Sequence, residues 1–188
     1  MQKILATLAL AAAIAAPAHA ADSYTVDPGH TFPSFEINHL GYSTQRGRFD
    51  NNSGKIVVNS VAKSGSIDLL VDVTSINMVV PALTKHLLSE DFFNAAKFKS
   101  MSFKSDKLIF EGDKLVAAEG VFTLLGVSKP LRLTVTHYRC GEHPMNKKAM
   151  CGADVTATIK RSDFGMTKYL PAIGDEVNIN ASVEAFKD

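Results

Sequence analysis

Six histidines, two cysteines and 19 acidic residues are the groups of this 188-residue chain with the most obvious chemical potential, and their spacing restricts what they can do. Five of the histidines, His30, His39, His86, His137 and His143, lie beyond residue 20. None stands in an H-x-x-x-H, H-x-H or Cys-His arrangement, so no metal site is expected. Most read as ordinary polar residues. His30 and His39 stand apart because they bracket one strand beside Asp27 and Glu36 and could hydrogen-bond the polar end of a ligand. A nucleophilic serine elbow, G-x-S-x-G, does not occur. Asp68 and Asp72 are a candidate carboxylate pair, but alternation places them on the wet face of a strand. Neither a G-x-x-x-x-G-K-[ST] phosphate loop nor a G-x-G-x-x-G fingerprint is present, so nucleotide chemistry is excluded and no cofactor is expected. Asn51-Asn52-Ser53 fits a glycosylation acceptor and equally a turn, and carries no functional weight.

The two thiols belong with the start of the chain. Lys3, an uncharged apolar stretch from Ile4 to Ala16 and the small residues of Ala18-His19-Ala20 follow the pattern of a secretory leader over residues 1–20, cleaved after Ala20. The apolar run is shorter than the roughly 20 residues a membrane-spanning helix needs. The mature protein, residues 21–188, is therefore expected to be exported, soluble and periplasmic. An oxidising compartment lets Cys140 and Cys151 pair across a hairpin loop, which is worth roughly 3 kcal/mol in the chain-entropy account. Their spacing is wrong for a C-x-x-C redox centre.

Elements able to position these groups are mostly strands. Phe35, Ile37 and His39 alternate with polar neighbours, and Ile67, Leu69, Val71 and Val73 alternate mainly with Ser66, Asp68, Leu70 and Asp72. Further strands are predicted over 54–61, 101–111, 114–124, 131–139, 151–159 and 177–186, punctuated by turn residues at 51–54, 63–65, 111–113 and 126–130. Helical character is confined to 81–93, where Leu83 and Leu87 share a face, and to a short turn over 160–165. About eight strands with short connections imply one all-β domain with a short helical segment, either a closed antiparallel barrel or a sandwich. With 20 basic against 19 acidic residues, nucleic acid is not an expected partner. Eleven Phe and four Tyr supply a substantial core.

Several segments, in order, resemble the YceI-like proteins of bacterial envelopes, a family named for polyisoprenoid binding. They are Tyr24-Thr25-Val26-Asp27-Pro28-Gly29-His30-Thr31, Phe35, Ile37-Asn38-His39-Leu40-Gly41 and Gly47-Arg48-Phe49, then His86-Leu87-Leu88-Ser89-Glu90-Asp91-Phe92-Phe93 and Phe103-Lys104-Ser105. The run from Gly120 to Pro130, Arg161-Ser162-Asp163-Phe164-Gly165-Met166 and Gly174-Asp175-Glu176-Val177 complete the match. Lys99 replaces a frequent Pro, and Leu125 stands where His is common.

The resemblance implies an eight-stranded antiparallel lipocalin-like barrel, often dimeric, that holds a long isoprenoid such as a polyprenyl phosphate or a respiratory quinone tail. Its ligand-facing set would be Phe35, Ile37, His39, Ile67, Leu69, Val71, Val73, Phe122, Leu124, Leu133, Val135, Val177, Ile179 and Val183. The same alternation also describes a solid core, and the pattern alone does not choose. A headgroup at the mouth would meet His30, Arg46, Arg48, Lys85 or His86. Two other readings stand beside this carrier: an enzyme acting on a lipid-linked or quinone substrate through His30, His39 and Asp27, and a stress-related envelope interaction protein with incidental cargo. Transient contact with a membrane surface accompanies the carrier reading.

Overall fold

The computed structural model describes residues 20–188, and the leader read over 1–20 lies, apart from Ala20, outside the described residues. Eleven antiparallel strands form one continuous sheet. They are β1 (Asp22–Val26), β2 (Phe32–His39), β3 (Ser43–Phe49), β4 (Asn52–Asn59), β5 (Ser64–Asp72) and β6 (Ile76–Asn77), then β7 (Ser100–Glu111), β8 (Lys114–Leu124), β9 (Val127–Glu142), β10 (Ala149–Lys160) and β11 (Ile173–Lys187). One helix, α1 (Pro81–Leu88), lies between β6 and β7. Eight strands close the barrel in the order β1-β4-β5-β7-β8-β9-β10-β11, with β11 pairing back onto β1. Closure leaves these strands no unpaired edge.

Strand β11 holds two partners in succession. Its first part pairs β2, from Ile173 opposite His39 to Ser182 opposite Phe32, and its end pairs β1, from Ala185 opposite Val26 to Lys187 opposite Tyr24. Between β1 and β2 lies the Asp27-to-Thr31 segment. The Asp27 carboxylate accepts the Gly29 amide at 2.9 Å and sits 2.7 Å from His30 Nδ1. Thr31, buried, returns the chain to β11 by exchanging hydrogen bonds with the Glu184 backbone. On the neighbouring strands the same break recurs between β3 and β4, and Asn52 Nδ2 donates to the Thr31 carbonyl at 2.5 Å across the two breaks. Below this level β1 and β4 belong to the barrel wall. Above it β2, β3 and β6 form a flap.

Most sequence expectations for elements hold with small shifts of boundary. The predicted turn over 126–130 is shorter than expected: only Leu125 and Gly126 turn, both with positive φ, and Val127 to Pro130 are already strand. Helix α1 stops at Leu88 rather than 93, because Ser89 turns back on the His86 carbonyl through both its amide and its hydroxyl. Cys140 and Cys151 are directly opposed on β9 and β10 and form the expected disulfide.

Candidate functional site

Along most barrel strands the inward side chains divide into a filled end and a hollow end. On β7 Met101 and Phe103 border a cavity while Leu108 does not; on β8 Phe122 and Leu124 do while Leu115 does not. The filled end holds Tyr24, Val58, Leu108, Leu115 and Ala185, all buried, and the disulfide lies there too. The Tyr138 hydroxyl approaches the bridge at 3.0 Å from Cys140 Sγ. The hollow end encloses about 620 Å³ and is lined almost wholly by apolar side chains.

Of the fourteen ligand-facing residues expected from the sequence, eleven line this cavity: Phe35, Ile37, His39, Leu69, Val71, Phe122, Leu124, Leu133, Val177, Ile179 and Val183. Three do not. Ile67 and Val135 point inward at the filled end and pack on the core. Val73 leaves the strand alternation because Asp72 accepts the Thr74 amide at 2.8 Å and starts a 3₁₀ turn, which buries Val73 in the core cluster. Sequence reasoning missed Met101 and Phe103, although their alternation was readable. It also missed Phe49, Met78, Leu83 and Phe93, which come from the flap and from the segment beyond it. Phe93 meets Phe49 edge-on at 5.5 Å and Phe35 at 6.3 Å. Gly47 makes this cluster feasible, since a β-carbon there would overlap the Met78 sulfur and the Phe35 ring.

Of the five residues expected at a headgroup, four lie outside the cavity lining. Arg46 is paired with Glu36 across β2 and β3 at 2.7 Å, and Arg48 with Asp50 at 2.6 Å while lying over the Phe32 ring. Phe32 and Glu36 belong to the outward alternation of β2, so both arginines point away from the cavity. Lys85 is exposed on α1, outside the lining. His30 is bound to Asp27, which raises the imidazole pKa and, in return, holds the carboxyl below its usual range. It lies one strand length, roughly 25 Å, from His39, so Asp27, His30 and His39 do not assemble as a catalytic set. Only His86 stands at the cavity, with Phe92 edge-on at 5.1 Å and Tyr169 at 5.9 Å. Donor atoms of Asp27, His30 and Glu184 do gather within 4.8 Å at the surface, a set able to hold a divalent cation. That grouping lies outside the cavity lining.

Three segments frame the mouth and are tied to one another. The β2–β3 turn joins the loop before β11 through Leu40 N–H to the Ala172 carbonyl at 2.9 Å. That loop joins the segment after α1 where the Tyr169 hydroxyl donates to Asp91 at 3.3 Å and the Tyr169 ring stacks on Phe92. Met78, packed at Gly47, returns the ring to the flap. Arg161 is the one guanidinium in the lining. It is 1% exposed and donates to the carbonyls of Met166, Ile173 and Gly174 at 2.8–3.0 Å. Burial pulls its pKa down and nearby Asp175 opposes this. Its hydrogen bonds are directed at its own loop. No carboxylate and no lysine lines the cavity among the described residues.

The profile of the YceI-like domain matches residues 24–185. The chain belongs to the YceI-like family. It is 32% identical to a UPF0312 protein of Vibrio vulnificus over 99% of this chain and 98% of that one. A UPF0312 protein of Pseudomonas aeruginosa is 33% identical over 100% and 99%. Among solved structures, the YceI protein of Campylobacter jejuni superposes with a TM-score of 0.68 at 27% identity, covering 81% of this chain and 90% of that one. BcnA of Burkholderia cenocepacia shares the fold at 20% identity and TM-score 0.74, over 85% and 98%. So does a polyisoprenoid binding domain from Saccharophagus degradans, at 17% identity and TM-score 0.65, over 88% and 98%. The YceI-like motifs thus acquire structural roles here: Asp27 to Thr31 splits the barrel wall, and Arg161 to Met166 builds the loop at the mouth.

Proposed function

We propose that this YceI-like protein is a non-enzymatic carrier for a long isoprenoid lipid with an uncharged head, such as a quinone, acting in the periplasm. The observation that carries the reading is the hollow of about 620 Å³, walled by barrel strands and the flap and lined mainly by apolar side chains. Its volume falls in the range of ligand pockets. The polyisoprenoid-binding relative supports the class of cargo. The lining supports an uncharged head within the hollow: no lysine borders it among the described residues, and its one guanidinium directs three N–H groups at backbone carbonyls. His39 and His86 offer the ring N–H donors a quinone carbonyl requires.

Energetics favour carriage over capture. A tail of about forty carbons would release some 32 kcal/mol if moved from water, beyond the roughly 18–21 kcal/mol at which affinities saturate. Such a lipid starts in a membrane, with its tail already dry. Its transfer into the barrel is therefore nearly balanced, so cargo can leave as well as enter. A non-enzymatic role agrees with the separation of Asp27 and His30 from His39. No helix among the described residues is long and apolar enough to cross a membrane, and the disulfide suits an oxidising compartment.

Organic extraction of the purified protein followed by mass spectrometry tests the reading. An isoprenoid with a neutral head is expected in stoichiometric amount. Recovery of a polyprenyl phosphate would overturn the headgroup assignment, and no isoprenoid either recovered or taken up on incubation would overturn the carrier itself.

A further inference from the structure

The rim of the cavity has two properties that a barrel does not need. Of the nine exposed large apolar side chains among the described residues, Leu40, Tyr42 and Tyr169 belong to segments that frame the mouth, and Val79 and Val80 directly follow Met78, which lines the cavity; Tyr42 and Val79 are each 92% exposed. Leu40, Val79 and Tyr169 also adopt left-handed backbone, with φ of 58°, 66° and 63°. For bulky or β-branched residues this conformation is costly and survives only where surrounding structure imposes it. Here the fold holds greasy side chains out into solvent at some conformational expense. Leu40 and Tyr169 line the hollow as well as the surface, so the cavity opens among these residues.

Charge is the second property. With Lys3 set aside, the chain's 20 basic and 19 acidic residues balance evenly. Segments 38–44, 78–99 and 161–173 hold four exposed basic residues (Lys85, Lys97, Lys99, Lys168) and three acidic (Glu90, Asp91, Asp163), besides the buried Arg161, leaving the remaining described residues net negative. Among the described residues no carboxylate pairs with Lys85, Lys97 or Lys99, and Asp91 is engaged by Lys168 at 3.6 Å.

We propose that this rim docks on an anionic lipid bilayer, with Tyr42, Val79 and Val80 entering the interface while the lysines meet lipid phosphates. Resting on the carrier reading, this gives the cargo a route from membrane to barrel that never exposes its tail to water. Two copies meeting rim to rim would instead oppose like charges.

The test is co-sedimentation of the protein, as processed by the expressing cell, with vesicles of phosphatidylethanolamine and phosphatidylglycerol or of phosphatidylcholine alone. The wild type should bind the anionic vesicles, less so as salt rises. The Tyr42→Ser, Val79→Asn double variant should lose about tenfold in partitioning, since two side chains no longer enter the interface. Asn tolerates positive φ, and circular dichroism checks the fold. Wild type left in the supernatant, a double variant that binds equally well, or light scattering showing a dimer whose contact is broken by the double substitution would each overturn the proposal. Extraction of lipid from the same preparations keeps the two readings apart: cargo found without vesicle binding sinks the rim alone.

Discussion

Ala181 faces the hollow from β11, between Ile179 and Val183, with Pro33 opposite it on β2. Replacing it with Trp distinguishes a binding cavity from a loosely drawn core. In a filled core the added ring would cost about 1–3 kcal/mol through overpacking. In a hollow of this size it is accommodated, so Ala181→Trp is expected to keep its thermal midpoint within a few degrees while its extractable lipid falls severalfold. Lost stability with unchanged lipid content would contradict the site. At this scale the sequence was informative wherever a residue's role depends on alternation: Leu69, Val71, Phe122 and Ile179 follow from period two alone. It was uninformative for Arg46 and Arg48, because a cation looks the same in sequence whether it awaits a phosphate or is held by Glu36 or Asp50. Partner choice is set by side-chain direction and by register, which pair counts do not reveal.

Arg161 decides the order of a whole element, the loop between β10 and β11. Its guanidinium gathers the carbonyls of Met166, Ile173 and Gly174, while Ser162 donates its amide and hydroxyl to Asp175 and holds that carboxyl below its ordinary pKa. Arg161→Leu would leave three acceptors without this donor, at about 3 kcal/mol or more in total. A denaturant midpoint lowered accordingly, with amides of residues 165–173 newly exposed to hydrogen exchange, is the expected result. Arg161→Lys should recover only part of it, since one ammonium cannot match the spread of a fork. Unchanged exchange in Arg161→Leu would show that the loop is held by other means. The strands and the short turn over 160–165 were legible because period and turn chemistry are local signals. The division of β11 between β1 and β2 was not, since it depends on pairing between residues more than a hundred positions apart. That Phe49 of β3 and Phe93 beyond α1 meet at the cavity went unread for the same reason.

Across the whole molecule, the hollow sets the stability. At about 24 cal/mol per Å³, an empty cavity of 620 Å³ forfeits on the order of 15 kcal/mol of packing, an upper bound because the mouth admits solvent. That is comparable to the entire stability of an ordinary domain. Cargo should therefore stabilise the protein: at a hundredfold excess over Kd the gain is about 2.7 kcal/mol, or roughly 5–10 °C for a chain of this size. Calorimetry before and after lipid extraction, and after adding a quinone back, measures it. A Tm indifferent to extraction would mean that the hollow is not where the lipid sits. Eight regular strands left a barrel and a sandwich open, and the family resemblance chose between them; the strands read included β2, while closure uses β1. Hollow and solid interiors likewise share one alternation and are separated only by three-dimensional packing. The disulfide and the Tyr24, Leu108 and Leu115 cluster secure the pole opposite the opening. That pole shares no side chain with the hollow, whereas Phe103, Phe122 and Leu133 serve core and cavity wall alike. A lineage that reshapes the hollow therefore keeps its anchor only where the changes fall on half-exposed wall positions such as Leu69 and Ile179.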